Sequence, residues 1–294
     1  MIDSNTSLLG LIGNPVAHSL GPVMHNRAFA AAGYNGVYLA FKINDLGSAI
    51  KSIKALNFKG VSVTIPHKVD IMQYLDAVDD VAAKVGAVNT IVNRQGQLIG
   101  YNTDCRGALE ALRSRTAVAG KSVALIGAGG AARAIGFGLV SSGGRLTIFN
   151  RSRATGERLA AELKAEFWPL NDCQPGRHEI LINTTPVGMF PDTGATPIPK
   201  KNLSKEMVVM DIVYNPLKTR FLKEAEAKGC RTINGISMFV SQAALQFELW
   251  TGQKAPLDIM QDAALEALKV KEKMKRSSFK SKGLTIDSQT ICKQ

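Results

Sequence analysis

The chain has 294 residues, 45% of them hydrophobic and 20% charged, a globular composition with room for one large domain or two modest ones. Four widely spaced cysteines without a C-x-x-C pair argue against a disulfide framework, and no H-E-x-x-H supports a metal. The net charge is +12, much of it near the C-terminus, where the basic residues from Lys269 onward face only Glu272 and Asp287. That segment reads as a helix end running into a disordered tail rather than as an arm for nucleic acid. The remaining positive charge suits an anionic substrate and cofactor.

The N-terminal MIDSNTSLLGLIGNP lacks a basic leader, so it does not read as a signal peptide, and no apolar stretch is long enough to span a bilayer. A cytoplasmic setting is expected. LLGLIG reads as a strand and PVMHNRAFAAAG as a helix closed by Gly33. VYLAFKI is a strand and DLGSAIKSIKAL a helix. GVSVTI is a strand, after which Pro66 is expected to open a helix, where its missing N–H costs nothing. In AVNTIVNRQGQLIGYNT, two apolar runs flank Asn93 to Gly96, which predicts a hairpin. The strand–helix rhythm resumes at KSVALIG. The pattern is α/β with mostly parallel sheets.

A second βαβ system starts afresh near Lys121, which calls for a boundary near Thr103. Two helices without strands, GISMFVSQAALQFELWTG and APLDIMQDAALEALKVKEKM, are expected to pack back on another element. The expected division is an N-terminal α/β domain of residues 1–103 completed by 239–270, a Rossmann-type domain of 104–238, and a basic, disordered tail of 271–294.

SVALIGAGGAARAIGFGLV places Gly127-x-Gly129-x-x-Ala132 between a strand and a helix, the setting a dinucleotide fingerprint requires. Gly127 allows the tight turn, and Gly129 lets the backbone approach a pyrophosphate. Ala128, Gly130 and Ala131 complete the loop, at a helix N-terminus with free N–H groups. The next strand, RLTIFNRSR, ends in Asn150, Arg151, Ser152 and Arg153. An acidic residue there would favour NAD; a guanidinium suits a 2′-phosphate, so NADP is expected.

Four polar segments in the first half lie where strands end: GNPVAHSLGPVMHN, SVTIPHK, GAVNT and YNTDC. Strand C-termini in a parallel sheet face the ligand crevice. They would gather Ser19, Thr64, Lys68, Asn89 and Asp104, a set suited to a small polyhydroxylated anion.

These segments, with GAGGAAR, NRS, DIVYNP and the GISMFVSQAALQFELWTG helix, occur in an order that resembles the shikimate dehydrogenase family, over roughly residues 8 to 265. The resemblance implies a two-domain enzyme with a cleft between a substrate domain and an NADP domain. It implies reversible reduction of 3-dehydroshikimate to shikimate, in chorismate and aromatic amino acid biosynthesis. Lys68 matches the catalytic lysine and Asp104 its paired aspartate. Reducing a ketone creates an alkoxide, which needs a proton or a positive charge beside it. Ser19 matches a carboxylate-binding serine and Tyr214 a tyrosine near the carboxylate. Thr64, Asn89 and Gln242 match contacts to ring hydroxyls. Ile212, Gly235 and the Asn183–Met189 loop match the surround of the nicotinamide. Met238 is read as core packing, and His18 and His25 as structural.

Two positions depart from the family pattern. The usual serine-x-serine ends here in Gly21, and the usual NTDG reads NTDC, with Cys105 expected to pack rather than react. Ser62 stands where asparagine is frequent. A hydrogen bond lost to a charged group costs about 1.5–3 kcal/mol. Gly21 therefore leaves open a quinate/shikimate dehydrogenase with relaxed substrate or cofactor use. A non-catalytic metabolite-binding relative is disfavoured, because a sensor does not need both Lys68 and Asp104. The expected partners are small molecules, not nucleic acid or membrane; the oligomeric state stays open, a homodimer being one option.

Overall fold

The computed structural model describes residues 2–283. Residues 284–294, which include the end of the expected tail, lie outside the described residues. In chain order the first half holds β1 (Ser7–Gly13), α1 (Gly21–Ala31), β2 (Gly36–Lys42), α2 (Leu46–Ala55), β3 (Gly60–Val63), a 3₁₀ turn (Asp70–Tyr74), β4 (Ala77–Val78), α3 (Asp80–Val85), β5 (Thr90–Arg94) and β6 (Gln97–Tyr101). The second half holds α4 (Asp104–Arg113), β7 (Ser122–Ile126), α5 (Gly130–Ser141), β8 (Arg145–Asn150), α6 (Arg153–Leu163), β9 (Glu166–Pro169), β10 (Ile180–Asn183), β11 (Val208–Asp211), α7 (Arg220–Glu226), β12 (Arg231–Ile233), α8 (Gly235–Thr251) and α9 (Leu257–Gly283).

The strands form two six-stranded sheets. The first has the order β2-β1-β3-β5-β6-β4. β1 runs parallel to β2 and β3, while β5 runs antiparallel to both β3 and β6. The second is parallel throughout, in the order β12-β11-β10-β7-β8-β9. Its strand order reverses between β7 and β10, the switch point at which doubly wound sheets bind ligands.

Local chemistry sets the element ends. Asp45 accepts from Ser48 N at 2.6 Å and caps α2; Asp79 accepts from Ala82 N at 2.8 Å and caps α3. The hairpin falls where the sequence puts it, with Gln95 and Gly96 both at positive φ, as a tight two-residue turn needs.

Apolar residues of α1, α8 and α9, among them Met24, Phe29, Phe247, Trp250 and Met260, form one core with β1 of the first sheet. Ile50, Ile53, Phe58 and Ile71 belong to a second core with Val61 and Ile91 of the same sheet. The two C-terminal helices thus return to the N-terminal half, as their lack of strands implies. Trp250 is the anchor: it is 2% exposed, and its indole N–H donates to Ile91 O at 3.0 Å. Burial of so large a side chain contributes about 1.5–3 kcal/mol.

Three details differ from the sequence reading. Pro66 opens no α-helix: residues 65–69 form turns before the 3₁₀ segment. The Lys68 carbonyl accepts from Val88 N at 2.7 Å, which takes the acceptor a helix starting there would need. Residues 271–283, expected as tail, continue α9, in keeping with their Lys, Glu and Met content. The expected boundary at 238/239 falls inside α8, which touches both halves: Met238 is buried in the core of the second sheet, while Val240 and Ala243 lie in that of the first.

β3 and α8 meet closely at Gly60, where an added Cβ would lie 2.1 Å from the Trp250 ring. The ring is buried and held by its indole N–H, so moving it aside costs energy. Gly60→Ala should cost about 1–3 kcal/mol of stability through overpacking. Urea unfolding measures it; an unchanged midpoint would show that α8 can shift at no cost.

Candidate active site

Lys68 sits on the turn after β3, and its backbone is pinned by the Val88 bond. Asp104 is the first residue of α4, where a carboxylate is favoured by the helix dipole. Their side chains meet, Lys68 Nζ to Asp104 Oδ2 at 2.5 Å, at 17% and 8% exposure. The other carboxylate oxygen, Oδ1, accepts from Asn89 Nδ2 at 2.9 Å.

Asn89 organises the ground around this pair. Its amide N–H₂ also donates to Thr103 Oγ1 at 2.9 Å. Its carbonyl oxygen accepts from Thr103 N and Thr90 Oγ1, each at 2.8 Å. Gln242 on α8 brings Oε1 within 3.4 Å of Asn89 Nδ2. One turn on, Gln246 donates to Thr90 Oγ1 at 2.9 Å and Asn89 O at 3.2 Å, and accepts from Ser62 Oγ at 2.9 Å. Ser62 in turn accepts from the Tyr38 hydroxyl at 2.7 Å. A continuous chain of hydrogen bonds therefore links Tyr38 to Lys68 through buried polar groups, each of which would be costly if left unpaired.

Ser19 lies just before α1, and its hydroxyl accepts from Gly21 N at 3.0 Å. Tyr214 is half-buried, its ring 4.6 Å from that of Phe239, and burial pushes its phenol up to about 12. Thr64 follows β3 and is half-buried.

Lys68 adjoins the start of the nucleotide motif: a Cβ on Gly130 would lie 3.7 Å from the lysine's Cβ and Cδ. Gly127 has φ +112, and a Cβ there would stand 2.6 Å from Thr184 Oγ1. A β-carbon on Gly129 would meet nothing within 4 Å, so the loop is open where a phosphate must approach. No side chain caps α5, whose first N–H groups are left for an anion. Past β8, Arg153 pairs with Glu157 at 2.9 Å, while Arg151 is exposed and has no carboxylate partner among the described residues. Asn150 is engaged by Ser152 O and Thr155 Oγ1. These features fit a dinucleotide carrying an extra phosphate. Ile212 and Gly235 are brought together, a Cβ on Gly235 falling 2.4 Å from Ile212 O. No group of residues able to hold a metal occurs among the described residues.

Asp211 ends β11 without exposure. It accepts from Asn183 Nδ2 at 3.0 Å, Val213 N at 3.1 Å and Thr219 Oγ1 at 2.6 Å. It thereby fastens the loop after β10 to the segment bearing Ile212 and Tyr214. Burial raises its carboxyl to about 6, against the pull of those three hydrogen bonds.

Comparison with known proteins gives this arrangement its kin. Residues 11–91 match the shikimate dehydrogenase substrate binding domain, and residues 235–265 the shikimate 5′-dehydrogenase C-terminal domain. Shikimate dehydrogenase (NADP(+)) of Symbiobacterium thermophilum is 48% identical over 277 residues, which are 89% of this chain and 94% of the relative. The chain belongs to the shikimate dehydrogenase family. A solved shikimate dehydrogenase in complex with NADP⁺ superposes with a TM-score of 0.87 at 41% identity, covering 91% of this chain and 98% of that one. The Thermus thermophilus enzyme, solved with NADP(H) and shikimate, gives 0.84 at 38%, covering 89% of this chain and all of that one. The two matched stretches meet at Asn89 and Gln242.

As a family member the chain brings Lys68, Asp104, Asn89 and Gln242 into one cluster, with the Gly127–Gly130 turn beside it. Sequence reasoning missed Tyr38, Thr90, Thr103 and Gln246, and left Ser62 without a role. The signal for Gln246 was present: two glutamines four apart in a largely apolar helix share a face. Asp211, an acid ending the apolar run VVM, was also open to detection. Cys105 is buried, its thiol pushed up to about 11 by burial, so it packs as expected. His25 is buried, its ring 4.5 Å from that of Tyr38, and burial lowers it to about 3, which suits a structural ring.

Asp211 yields a pH prediction. Its folded value, about 6, lies above the ordinary 3.8, so it favours the native state at low pH and loses that contribution as pH rises through 6. Asp211→Asn should remove this part of the slope. Between pH 4 and 7 the urea midpoint of the wild type should therefore change more in the destabilising direction than that of the variant; identical slopes would contradict the assignment.

Proposed function

We propose that this chain is an NADP-dependent oxidoreductase that interconverts 3-dehydroshikimate and shikimate. The observation that carries the reading is the Lys68–Asp104 pair, held at 2.5 Å beside the N-terminus of α5. The names of its relatives, shikimate dehydrogenase (NADP(+)), support the substrate and the cofactor. The setting we propose is the biosynthesis of aromatic amino acids in the cytoplasm; the absence of any described helix long and apolar enough to cross a membrane is compatible with it.

In this reading Gly127 to Ala131 receive the pyrophosphate and Arg151 the 2′-phosphate, with Asn150, Ser152 and Arg153 shaping that turn. Ile212, Gly235 and the Asn183–Met189 loop border the nicotinamide, which supplies the hydride when bound. Lys68 gives its proton to the oxygen of the carbonyl as it becomes an alkoxide, and takes one from the alcohol in the reverse direction. Asp104 fixes the ammonium by its Oδ2 and is itself fixed by Asn89 through Oδ1. Ser19 and Tyr214 face the carboxylate; Thr64, Asn89 and Gln242 face the ring hydroxyls. We take residues 1–103 with 239–270 as the substrate domain and 104–238 as the nucleotide domain. The return of α8 and α9 onto α1 supports this division.

The test follows reduced-nicotinamide absorbance with shikimate and quinate, each offered with NADP and NAD. Turnover with shikimate and NADP is expected. Quinate turnover would widen the substrate range at the Gly21 end; turnover of none of the four pairs would sink the proposal. Lys68→Met should lower kcat by about 10²–10⁴-fold with the fold intact, and near-normal turnover would remove Lys68 from the mechanism. Arg151→Ala should raise the KM for NADP by about tenfold or more and leave that for NAD little changed, as expected for loss of a charge-assisted phosphate contact.

A further inference from the structure

α9 continues past the point where a tail is expected, and the first residue of that extension reaches the substrate side. Met260, Ala264 and Leu268 are buried in the core that α9 shares with α1. Their spacing puts them on one helix face, and residue 271, one turn after Leu268, falls on the same face. The apolar stripe ends there in Lys271, which is half-buried. Its ammonium donates to His18 O at 2.9 Å and lies 3.5 Å from Ser19 O.

The helix pair sets this contact. Arg27 of α1 pairs with Glu266 of α9 at 2.6 Å. From Glu266 to Lys271 α9 advances while the facing chain goes back from Arg27 to the turn at His18 and Ser19, so the two run antiparallel. That turn precedes α1, and its carbonyls lie outside the helical ladder. Ser19 N donates to Val16 O at 3.0 Å, and Ser19 Oγ accepts from Gly21 N at 3.0 Å. Those bonds fix the serine from within the turn; Lys271 fixes it from α9.

Electrostatics point the same way. Leu20 gives α1 no side-chain cap, and the first turn of α1 holds no acidic residue. The positive end of the helix dipole is thus without a carboxylate of its own. A cation beside a helix N-terminus is mildly unfavourable, so the stability of α1 does not account for a lysine there. An anion held at Ser19 does.

We infer that Lys271 is a positioning residue for the acid-binding end of the site. It clamps the His18–Ser19 turn to α9, so that the Ser19 hydroxyl stays in place for the substrate carboxylate, and its charge favours that anion. This rests on the dehydrogenase reading above.

Lys271→Met, Lys271→Arg and Lys269→Met test it in the full chain. The readouts are kcat and KM for shikimate with NADP, KM for NADP, shikimate affinity by calorimetry, and Tm. Lys269 is exposed and carries the same charge two positions earlier, so it controls for the general loss of a basic residue. Lys271→Met should raise KM and Kd for shikimate about threefold to tenfold, as one charge acting over several ångströms near a protein surface would. Its kcat and NADP KM should stay nearly unchanged. Lys271→Arg should keep most of the affinity, and Lys269→Met all of it.

Wild-type KM and affinity in Lys271→Met would overturn the inference. So would an arginine variant as impaired as the methionine one, or a Lys269→Met protein impaired to the same degree. A Lys271→Met protein whose kcat, NADP KM and Tm worsen along with the shikimate KM would assign the lysine to the fold alone and overturn it too. If Lys271→Met yields no folded protein, Lys271→Gln decides in its place, with the same outcomes. A wild-type protein inactive on shikimate would sink the functional reading itself, which separates that failure from this one.

Discussion

The structure depends on keeping one lysine and one aspartate together almost out of water. Removing such charges from solvent costs several kcal/mol each, and their mutual attraction offsets it only if every remaining polar atom is satisfied. The surroundings of Asp104 meet that condition. Asp104 directs one oxygen to Lys68 and the other to Asn89, at a helix N-terminus whose dipole favours the charge. Lys68 is held by its own carbonyl through Val88. A buried ion pair is weak evidence for stability, so its presence at the junction of the two sheets points to chemistry rather than to folding.

The topology follows from the same demand. Lys68 lies beyond the C-terminal end of β3, whereas Asn89 stands at the beginning of β5 and Asp104 just past the end of β6. Those positions share one edge of the sheet only because β5 runs antiparallel to β3, with Ser62 opposite Thr90. A parallel β5 would have carried Asn89 to the far edge. The short hairpin to β6 then returns the chain to the edge it left, in time for Asp104 to open α4. The antiparallel insertion in an otherwise parallel design is what assembles the pair.

Much of this was legible in the sequence, and the division is physical. Strand ends, the Gly127 turn and the hairpin are local: each rests on a few adjacent residues whose backbone preferences say what they do. In the cluster of Lys68, Asn89 and Asp104, Lys68 and Asp104 follow strand ends as the sequence reading expected, whereas Asn89 opens β5 rather than ending a strand and reaches the same edge only because that strand runs the other way. Pro66 misled because the acceptor that a helix needs was taken by Val88, a partner 20 positions away that no local pattern reveals. The roles of Tyr38, Ser62 and Thr90 escaped for a related reason. In a buried strand their hydroxyls look like ordinary small or aromatic fillers, and their meaning appears only when Gln246, more than 150 residues later, arrives between Ser62 and Thr90.

α8 shows why the chain must return at all. At its start Gly235 lies against Ile212, and Met238 enters the core of the second sheet. Two turns on, Gln242 and Gln246 reach Asn89, and Trp250 locks the far end to Ile91. A helix advances about 1.5 Å per residue, so the seven steps from Gly235 to Gln242 set a span of roughly 10 Å. Neither sheet could fix that distance alone, since loops and α4 are their other links. One rigid helix bonded to both holds the nucleotide side and the polar cluster at a single separation. Hydride transfer tolerates little error in separation, because misplacement of about 1 Å can cost a hundredfold in rate. The C-terminal helices are therefore part of the site as well as a cover for the first sheet.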